Sequence, residues 1–270
     1  NAGQRDTMGT KYVERQFAEA KRRHNNWREI AVAALLRQGT LSFRYDAPDD
    51  LTPVYTLGGS PGETIDWLIP SAHKSQLNMT GDGNIIGTSW ANAAAPIPQD
   101  IFQINAAFQQ ATGSMLQHAY MNSVIWNYVI TNTDVRNLAG SSNKPFADFT
   151  LTGDTNPDGV KTGLFAARFD WCPWMEWHVY DGGLEVDGTY SKFLPDTLAT
   201  FSIEHGPWLK GIEGSEPRKT NPMAPAEEVF GLDSWIREWD EPARLELHCL
   251  QNFMIELNTP KSLAIGTVVY

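Results

Sequence analysis

The chain has 270 residues, of which 41% are hydrophobic and 20% charged, a globular composition that excludes collagen-like and low-complexity proteins. Its net charge of −11 is uneven, since residues 1–50 carry nine Lys and Arg against seven Asp and Glu, and the remaining 220 carry twelve against twenty-five. So acidic a body is not expected to hold nucleic acid tightly. Because no apolar run approaches the roughly 20 residues that a bilayer needs, and no secretory signal is visible, we expect a cytosolic protein.

The sequence offers no recognisable motif for a metal, a nucleotide or a disulfide framework. Cys172 and Cys249 lie far apart without CxxC spacing, which predicts buried free thiols. Each histidine is expected to be a packed or surface residue, because no two stand at metal-ligand spacing. The histidines are His24, His73, His118, His178, His205 and His248. Glycine-rich phosphate loops and hydrolase motifs are also missing, so we expect no cofactor.

The first predicted element is a long amphipathic helix over residues 10–38. Apolar residues recur at steps of three and four, Thr10 can cap the N-terminus and Gly39 can end the helix. At ~1.5 Å per residue it would be about 43 Å long, which is unusual for a compact domain of this size. Three consecutive basic residues could form either a solvated helix face or a phosphate-facing surface. They are Lys21, Arg22 and Arg23.

Shorter elements follow, in a pattern that predicts mixed helices and strands. Period-2 alternation marks the strands, frequent Gly and Pro mark the turns, and apolar stripes mark the helices. In chain order the predictions are strands over 41–45, 54–57 and 64–69, a helix from Pro98 to Gly113, a strand over 116–121 and a helix from Val124 to Leu138. Residues 141–163 are polar and rich in Gly, Asn and Asp, so an exposed loop is expected there.

Strands are predicted for most of the remaining chain. The strands over 175–180 and 190–193 flank Asp187-Gly188, a dipeptide typical of hairpins. Further strands are predicted over 197–203, 235–239, 245–257 and 263–269. With the helices, they indicate an α+β protein.

An acidic segment near the middle of the chain permits two interpretations. Its polar members are Asp170, Glu176, His178, Asp181, Glu185 and Asp187. Paired carboxylates beside tryptophans could serve a carbohydrate-active enzyme. The structural interpretation is preferred, because Glu176 and His178 would share one face of a strand while Asp181 and Asp187 occupy turn positions. The enzyme remains an alternative.

Ten tryptophans are many for this length, and several occur in bursts. Trp171, Trp174 and Trp177 are three residues apart, so in a strand they would alternate between faces. A carbohydrate-binding module would instead display its aromatic rings on one face. We therefore expect these side chains to serve a core or a protein interface.

Four stretches of the chain, at 126–140, 179–197, 206–214 and 245–269, resemble the lambda-type major capsid protein family, also called phage capsid protein E. WNYVITNTDVRNLAG (126–140) resembles part of the family's axial domain, and VYDGGLEVDGTYSKFLPDT (179–197) resembles its hairpin and FLPD turn. GPWLKGIEG (206–214) and LELHCLQNFMIELNTPKSLAIGTVV (245–269) resemble the strands that return to the peripheral domain. The resemblance covers essentially the whole chain, and the 179–197 stretch is its most specific part.

The resemblance implies the Hong Kong 97-like fold. Residues 1–39 would form an N-terminal stub and spine helix, 115–204 the axial domain, and 40–114 with 205–270 the peripheral domain. Only about ten residues precede the predicted helix, so the N-terminal arm and extended loop of the family are expected to be absent from this chain.

The resemblance also implies a function in assembly and no catalysis. The chain would self-assemble, as pentamers and hexamers, into the icosahedral head of a tailed bacteriophage (Caudoviricetes) that encloses double-stranded DNA. Expected partners are a portal, a scaffold or decoration protein and DNA held non-specifically; assembly would take place in the host cytoplasm, without a membrane. An encapsulating compartment protein of the same fold is a further alternative. The candidate inter-subunit or inner-surface residues are Lys21, Arg22, Arg23, Trp126, Arg136, Trp171, Trp174, Asp187 and Lys192.

Overall fold

The computed structural model describes residues 7–44, 54–56, 63–79, 81, 83–138, 147–150, 165–186, 189–203, 209–213, 215–218, 227–230, 232–240, 243–251 and 253–270. The α-helices within these residues are α1 (Thr7–Gln38), α2 (Ile97–Thr112), α3 (Ser123–Thr131) and α4 (Thr133–Leu138). Short 3-10 turns occur at Ser71–His73 and Pro260–Ser262.

Strands make up most of the remaining regular structure. Those that precede α3 are β1 (Thr40–Arg44), β2 (Val54–Thr56), β3 (Glu63–Asp66), β4 (Lys74–Ser75) and β5 (His118–Met121). Those that follow α4 are β6 (Ala147–Thr150), β7 (Phe165–Phe169), β8 (Cys172–Val179), β9 (Gly183–Val186), β10 (Thr189–Lys192), β11 (Leu198–Ser202), β12 (Leu209–Glu213), β13 (Ser215–Arg218), β14 (Glu227–Phe230), β15 (Leu232–Asp240), β16 (Ala243–Gln251), β17 (Phe253–Leu257) and β18 (Leu263–Thr267). This mixture of helices and strands confirms the predicted α+β class.

The chain divides into two compact units. The first combines Asn1–Val32 with Lys210–Glu256, and the second combines Ala33–Leu209 with Leu257–Tyr270. In the first unit, β15 and β16 form an antiparallel ladder of nine residues on each strand, and β13 pairs with β14. The second unit holds the larger sheet described next.

A seven-stranded mixed sheet, in the order β4-β18-β11-β5-β8-β7-β6, runs through the second unit. The β5–β8 and β18–β4 pairs are parallel, and the other neighbours are antiparallel. Where β5 meets β8, Ala119 lies beside Trp177, and the preceding pair is His118 beside Glu176. Because successive side chains point to opposite faces, the sheet has an apolar face and a polar one.

The hydrophobic core lies on the apolar face, against α2, α3 and α4. Helix α2 contributes a stripe of fully buried side chains at helical spacing, Ile97, Ile101, Ile104 and Phe108, as its apolar pattern predicts. Trp177 of β8 is fully buried opposite them in the same cluster. Each such side chain contributes about 1.5–3 kcal/mol by leaving water.

Helix α1 ends where the sequence predicts and begins three residues earlier, at Thr7 instead of Thr10. Gly39 has φ +71° and donates its N–H to the carbonyl of Leu35 at 3.0 Å. A β-carbon at this position would collide with the side chain of Ile69. The left-handed backbone therefore favours glycine here, and any larger residue would also require the end of the Ile69 side chain to move.

The single helix predicted from Val124 to Leu138 is wrong, because Asn132 breaks it into α3 and α4. Asn132 has an extended backbone (φ −61°, ψ 138°), and its buried side chain begins the second helix. The Oδ1 atom accepts hydrogen bonds from the N–H groups of Asp134 and Val135 at 3.0 and 3.1 Å. An N-cap is more favourable here than a continuous helix, because asparagine suits caps better than helix interiors.

Asn132 also fixes the irregular chain that precedes α2. Its Nδ2 donates to the carbonyl oxygens of Ala93 and Ala95 at 3.1 and 2.8 Å. One buried amide therefore binds two helix-end donors and adds a second hydrogen bond to two loop carbonyls that also accept from the backbone N–H groups of Thr133 and Ile97.

The hairpin prediction identified one strand correctly but the wrong partner strand. The strand that pairs with β10 is β9, with Val186 opposite Thr189, whereas β8 lies in the large sheet between β5 and β7. Asp187 and Gly188 lie outside the described residues. Two other expectations need correction: residues 147–150 of the predicted loop form edge strand β6, and the predicted strand over 245–257 is described as two strands, β16 and β17.

We predict that Asn132→Ala lowers the free energy of unfolding by about 2–4 kcal/mol, since the cap of α4 and two hydrogen bonds to loop carbonyls are lost together. Urea denaturation followed by circular dichroism measures the change. Asn137→Ala, at an exposed position of α4, is the matched control and should change stability by less than about 0.5 kcal/mol. Equal stabilities for the two variants would contradict the role given to Asn132.

A buried carboxyl in the first turn of α2 makes stability depend on pH. Asp100 is 3% exposed and accepts a hydrogen bond from Trp90 Nε1 at 2.9 Å. Burial raises the pKa of the Asp100 carboxyl to about 6, against the opposing effect of the Trp90 hydrogen bond. A raised pKa in the folded state means that folding favours the protonated form, so this contribution to stability is lost as pH rises from about 4 through 6.

We predict that Asp100→Asn raises the free energy of unfolding by about 1–3 kcal/mol at pH 7 and leaves it nearly unchanged at pH 4. The amide oxygen can still accept from Trp90, and the buried charge is removed. Urea denaturation at both pH values tests this. Asp134→Asn, an exposed first-turn carboxylate of α4, should show no such difference. A variant less stable than the parent at pH 7 would refute the prediction.

Candidate functional site

Two surfaces of the second unit are candidate functional sites, one because polar side chains cluster on it and the other because aromatic side chains do. The first is the polar sheet face, formed by His118 and Tyr120 of β5, Glu176 and His178 of β8, and Arg168 of β7. These residues share one face because the register pairs His118 with Glu176, Tyr120 with His178 and Glu176 with Arg168. The second surface is the aromatic patch described below.

Two histidines and a carboxylate converge at the centre of the polar sheet face. Nδ1 of His118 lies 2.9 Å from Nε2 of His178, so one ring donates a hydrogen bond to the other. Oε2 of Glu176 lies 3.8 Å from each of these nitrogens. Both histidines are buried and Glu176 is partly exposed, with 25% of its side chain in contact with solvent. Among the described residues, this trio is the group of three side chains placed to hold a metal ion.

Tyr120 and Arg168 flank the trio. The Tyr120 ring stacks on His178, with centroids 4.9 Å apart and 15° between planes. Burial raises the pKa of the Tyr120 hydroxyl to about 12, against the effect of its hydrogen bond with Ser202. The Arg168 guanidinium lies 3.8 Å from the same Glu176 oxygen, but its side chain is 62% exposed, which makes this a weak surface ion pair.

The aromatic patch consists of Phe102 of α2 with Trp171 and Trp174. Phe102 is 46% exposed, and its ring centroid lies 5.3 Å from that of Trp174 and 6.3 Å from that of Trp171. The indole N–H groups of both tryptophans are buried and have no acceptor among the described residues. The patch is therefore apolar and partly open to solvent, as the sequence predicts for tryptophans at a core or an interface.

The other predicted site residues are spread over the second unit. Trp126 is 8% exposed and packs on Phe169, with centroids 5.3 Å apart, so it offers little surface to a second subunit. Arg136 is exposed on α4. Lys192 donates from Nζ to Asp196 at 2.6 Å, and this hydrogen bond raises the pKa of the Lys192 ammonium.

Four predicted site residues cannot be placed at side-chain level. Lys21, Arg22 and Arg23 fall within α1, but their side chains lie outside the described part, and Asp187 lies outside the described residues altogether. Cys172 is a buried free thiol, as predicted, and burial raises its pKa to about 12. The side chain of Cys249 lies outside the described part.

The acidic segment 170–187 is divided among separate roles in the fold. Asp170 is exposed in the turn before β8, and Glu176 belongs to the histidine trio. Asp181 accepts a hydrogen bond from the N–H of Ser123, at the start of α3, at 2.9 Å. Glu176 and His178 share one strand face, as predicted.

His118 is the site residue that sequence reasoning missed. It lies 60 residues before His178, so no metal-ligand spacing relates the two. The available signal was weak: HAYM and EWHV each alternate polar and apolar residues, so each predicts a strand with a polar face. Only the parallel pairing of β5 with β8 brings those faces together.

Comparison with known proteins identifies the fold. No protein-family model matches the sequence, and no curated protein does so significantly. Among solved structures, the chain is similar to a protein from an Escherichia coli CFT073 prophage whose assignment as the capsid protein is provisional. The TM-score is 0.52 with 15% identity, over 100% of this chain and 72% of that protein. The chain has a capsid-type fold. At this identity the likeness concerns the fold alone.

Two other structures show weaker likeness. A phage-related protein from Bordetella bronchiseptica RB50 gives a TM-score of 0.36 at 9% identity, covering 67% of this chain and 52% of that one. An encapsulin from Synechococcus elongatus PCC 7942 gives 0.34 at 14% identity, covering 75% and 59%. Both scores are too low to support an argument. Separately, none of the helices described here combines the length and apolar character needed to cross a membrane.

Proposed function

We propose that this chain is the major capsid protein of a tailed bacteriophage, which self-assembles into an icosahedral head around double-stranded DNA and catalyses nothing. The observation that carries the proposal is the similarity of fold to the Escherichia coli prophage protein along the whole chain. The proposal extends the capsid-type fold to the Hong Kong 97-like form, with α1 as the spine helix.

The proposed domain arrangement follows the sequence resemblance. Residues 115–204 form the axial domain, which meets its neighbours around five-fold and six-fold axes, while residues 40–114 and 205–270 form the peripheral domain. Head-to-tail contacts of this kind close into rings. At ~1.5 Å rise per residue, the 32 residues of α1 extend about 48 Å, long enough to span a subunit of this size.

The aromatic patch is the best-supported subunit contact in this proposal, because its apolar side chains are partly exposed to solvent. Phe102, Trp171 and Trp174 place apolar surface in reach of water, and aromatic residues are enriched where proteins associate. Arg136, Lys192 and Asp187 are proposed as polar contacts around such interfaces. A shell gains strength from many modest interfaces, because weak contacts allow misplaced subunits to dissociate and correct themselves during assembly.

The distribution of charge along the sequence is consistent with a protein shell that encloses DNA. Lys21, Arg22 and Arg23 are proposed to face the packaged DNA, whereas the strongly acidic remainder would not hold it tightly. A portal and a scaffold or decoration protein are the proposed partners, with assembly in the host cytoplasm.

We predict that the purified full chain forms closed shells or capsomer rings visible by negative-stain electron microscopy, because the function requires self-association. Analytical ultracentrifugation across a concentration series gives the mass of the species in solution. A monodisperse monomer at every concentration would refute the shell proposal. If the particles enclose protein cargo instead of DNA during expression, the proposal that the chain forms a shell would stand, but the proposal that the shell is a phage head would be refuted.

We predict that Phe102→Asp reduces assembly at least about tenfold while leaving the subunit folded, because a charge would have to be buried in the contact. Gln103→Asp adds the same charge at the next, exposed position of α2 and is the matched control. Light scattering measures assembly, and circular dichroism verifies folding. Equal assembly by both variants would exclude the aromatic patch as a subunit contact.

A further inference from the structure

We propose that His118, Glu176 and His178 bind a divalent transition-metal ion, with zinc as the best match. The inference is independent of the proposed function, since it depends only on the polar sheet face. Imidazole nitrogen and carboxylate oxygen are ligands that zinc accepts, and two histidines with one glutamate form a known type of zinc donor set.

The distances within the trio fit one shared ion. The three donor atoms form a triangle with sides of 2.9, 3.8 and 3.8 Å. The point equidistant from all three corners lies about 2.1 Å from each, which matches zinc–nitrogen distances of about 2.0–2.1 Å and zinc–oxygen distances of about 2.0–2.2 Å. Tetrahedral angles, with water as the fourth ligand, require all three separations to be about 3.3–3.4 Å, so side-chain rotations would have to widen the nitrogen–nitrogen separation and shorten both nitrogen–oxygen separations by about 0.4–0.5 Å.

The sheet holds the donors in place without help from a loop. His118 and Glu176 are direct partners in the β5–β8 register, and His178 is two residues beyond Glu176 on the same face. Both strands are internal to the seven-stranded sheet. The stacked ring of Tyr120 restricts His178 further. Little reorganisation is needed on binding, which favours affinity.

Without metal, the two rings occupy the same positions through their shared hydrogen bond. Binding requires the donating ring to carry its proton on its other nitrogen, so that both facing nitrogens offer a lone pair. The exposed side of Glu176 gives an ion a path from solvent. Arg168 can leave the Glu176 oxygen because most of its side chain is already in water. A bound ion would link β5 to β8 and stabilise the sheet.

The experiment is a zinc titration of the purified, chelator-treated full chain, in competition with a chromophoric chelator. Elemental analysis after gel filtration gives the stoichiometry, and cobalt(II) in place of zinc reports ligand geometry through its visible absorption. The test variants are His178→Gln and Glu176→Gln. The matched control is His73→Gln, another buried histidine, whose Nδ1 contacts the Leu263 carbonyl at 3.2 Å.

We expect one zinc ion per chain, with affinity reduced at least about tenfold in His178→Gln and Glu176→Gln and unchanged in His73→Gln. Zinc should also raise the melting temperature of the parent and of the control, but not of His178→Gln. If His178→Gln fails to fold, the zinc affinity of Glu176→Gln tests the proposal, because Glu176 is partly exposed and glutamine has the same shape. Absence of stoichiometric binding, or binding that survives both substitutions, overturns the proposal. Electron microscopy of the metal-free sample tests the shell function separately.

Discussion

The parallel pairing of β5 with β8 is the constraint on which the second unit depends. Because side chains alternate along each strand, this one register places Ala119 and Trp177 in the core and His118 and Glu176 on the opposite face. A slip of one residue would move the polar set into the apolar core and remove the indole of Trp177 from it. The cost of burying histidine and glutamate in an apolar core is far larger than any hydrogen bond that such a slip could gain.

Buried polar side chains then fix the positions of the segments that do not belong to the sheet. Asn132 joins the end of α3, the start of α4 and the loop before α2 in one set of hydrogen bonds. Trp90 and Asp100 do the same where that loop enters α2. These regions lie outside the strand ladders, and side-chain hydrogen bonds there add to the backbone ones in holding the chain. Hydrophobic burial supplies most of the stability, and these amides and carboxyls select a single arrangement.

Under the proposed function, the subunit must remain folded alone and still offer surfaces that another copy can cover. The aromatic patch would meet the second demand, since Phe102 exposes apolar surface and contacts Trp171, which is anchored to the core through Phe169 and Trp177. An anchored aromatic cluster loses little side-chain entropy when a partner covers it. The proposed metal site would serve a different purpose, because its ligands belong to two strands of one chain and a bound ion would strengthen the sheet.

The sequence by itself determined the α+β class, α1 and its end at Gly39, and the core stripe of α2, because helical periodicity and glycine chemistry are local properties. The resemblance of its sequence to a capsid protein family also indicated the capsid-type fold. The tertiary structure decided the break at Asn132, the strand that pairs with β10, and the meeting of His118 with His178. The break at Asn132 and the meeting of the two histidines depend on partners distant in sequence, namely the loop carbonyls around Ala93 and a residue 60 positions away, whereas β10 pairs with the strand that directly precedes it. A strand can pair with any of several neighbouring strands, and which pairing is most stable depends on the tertiary packing of the whole unit.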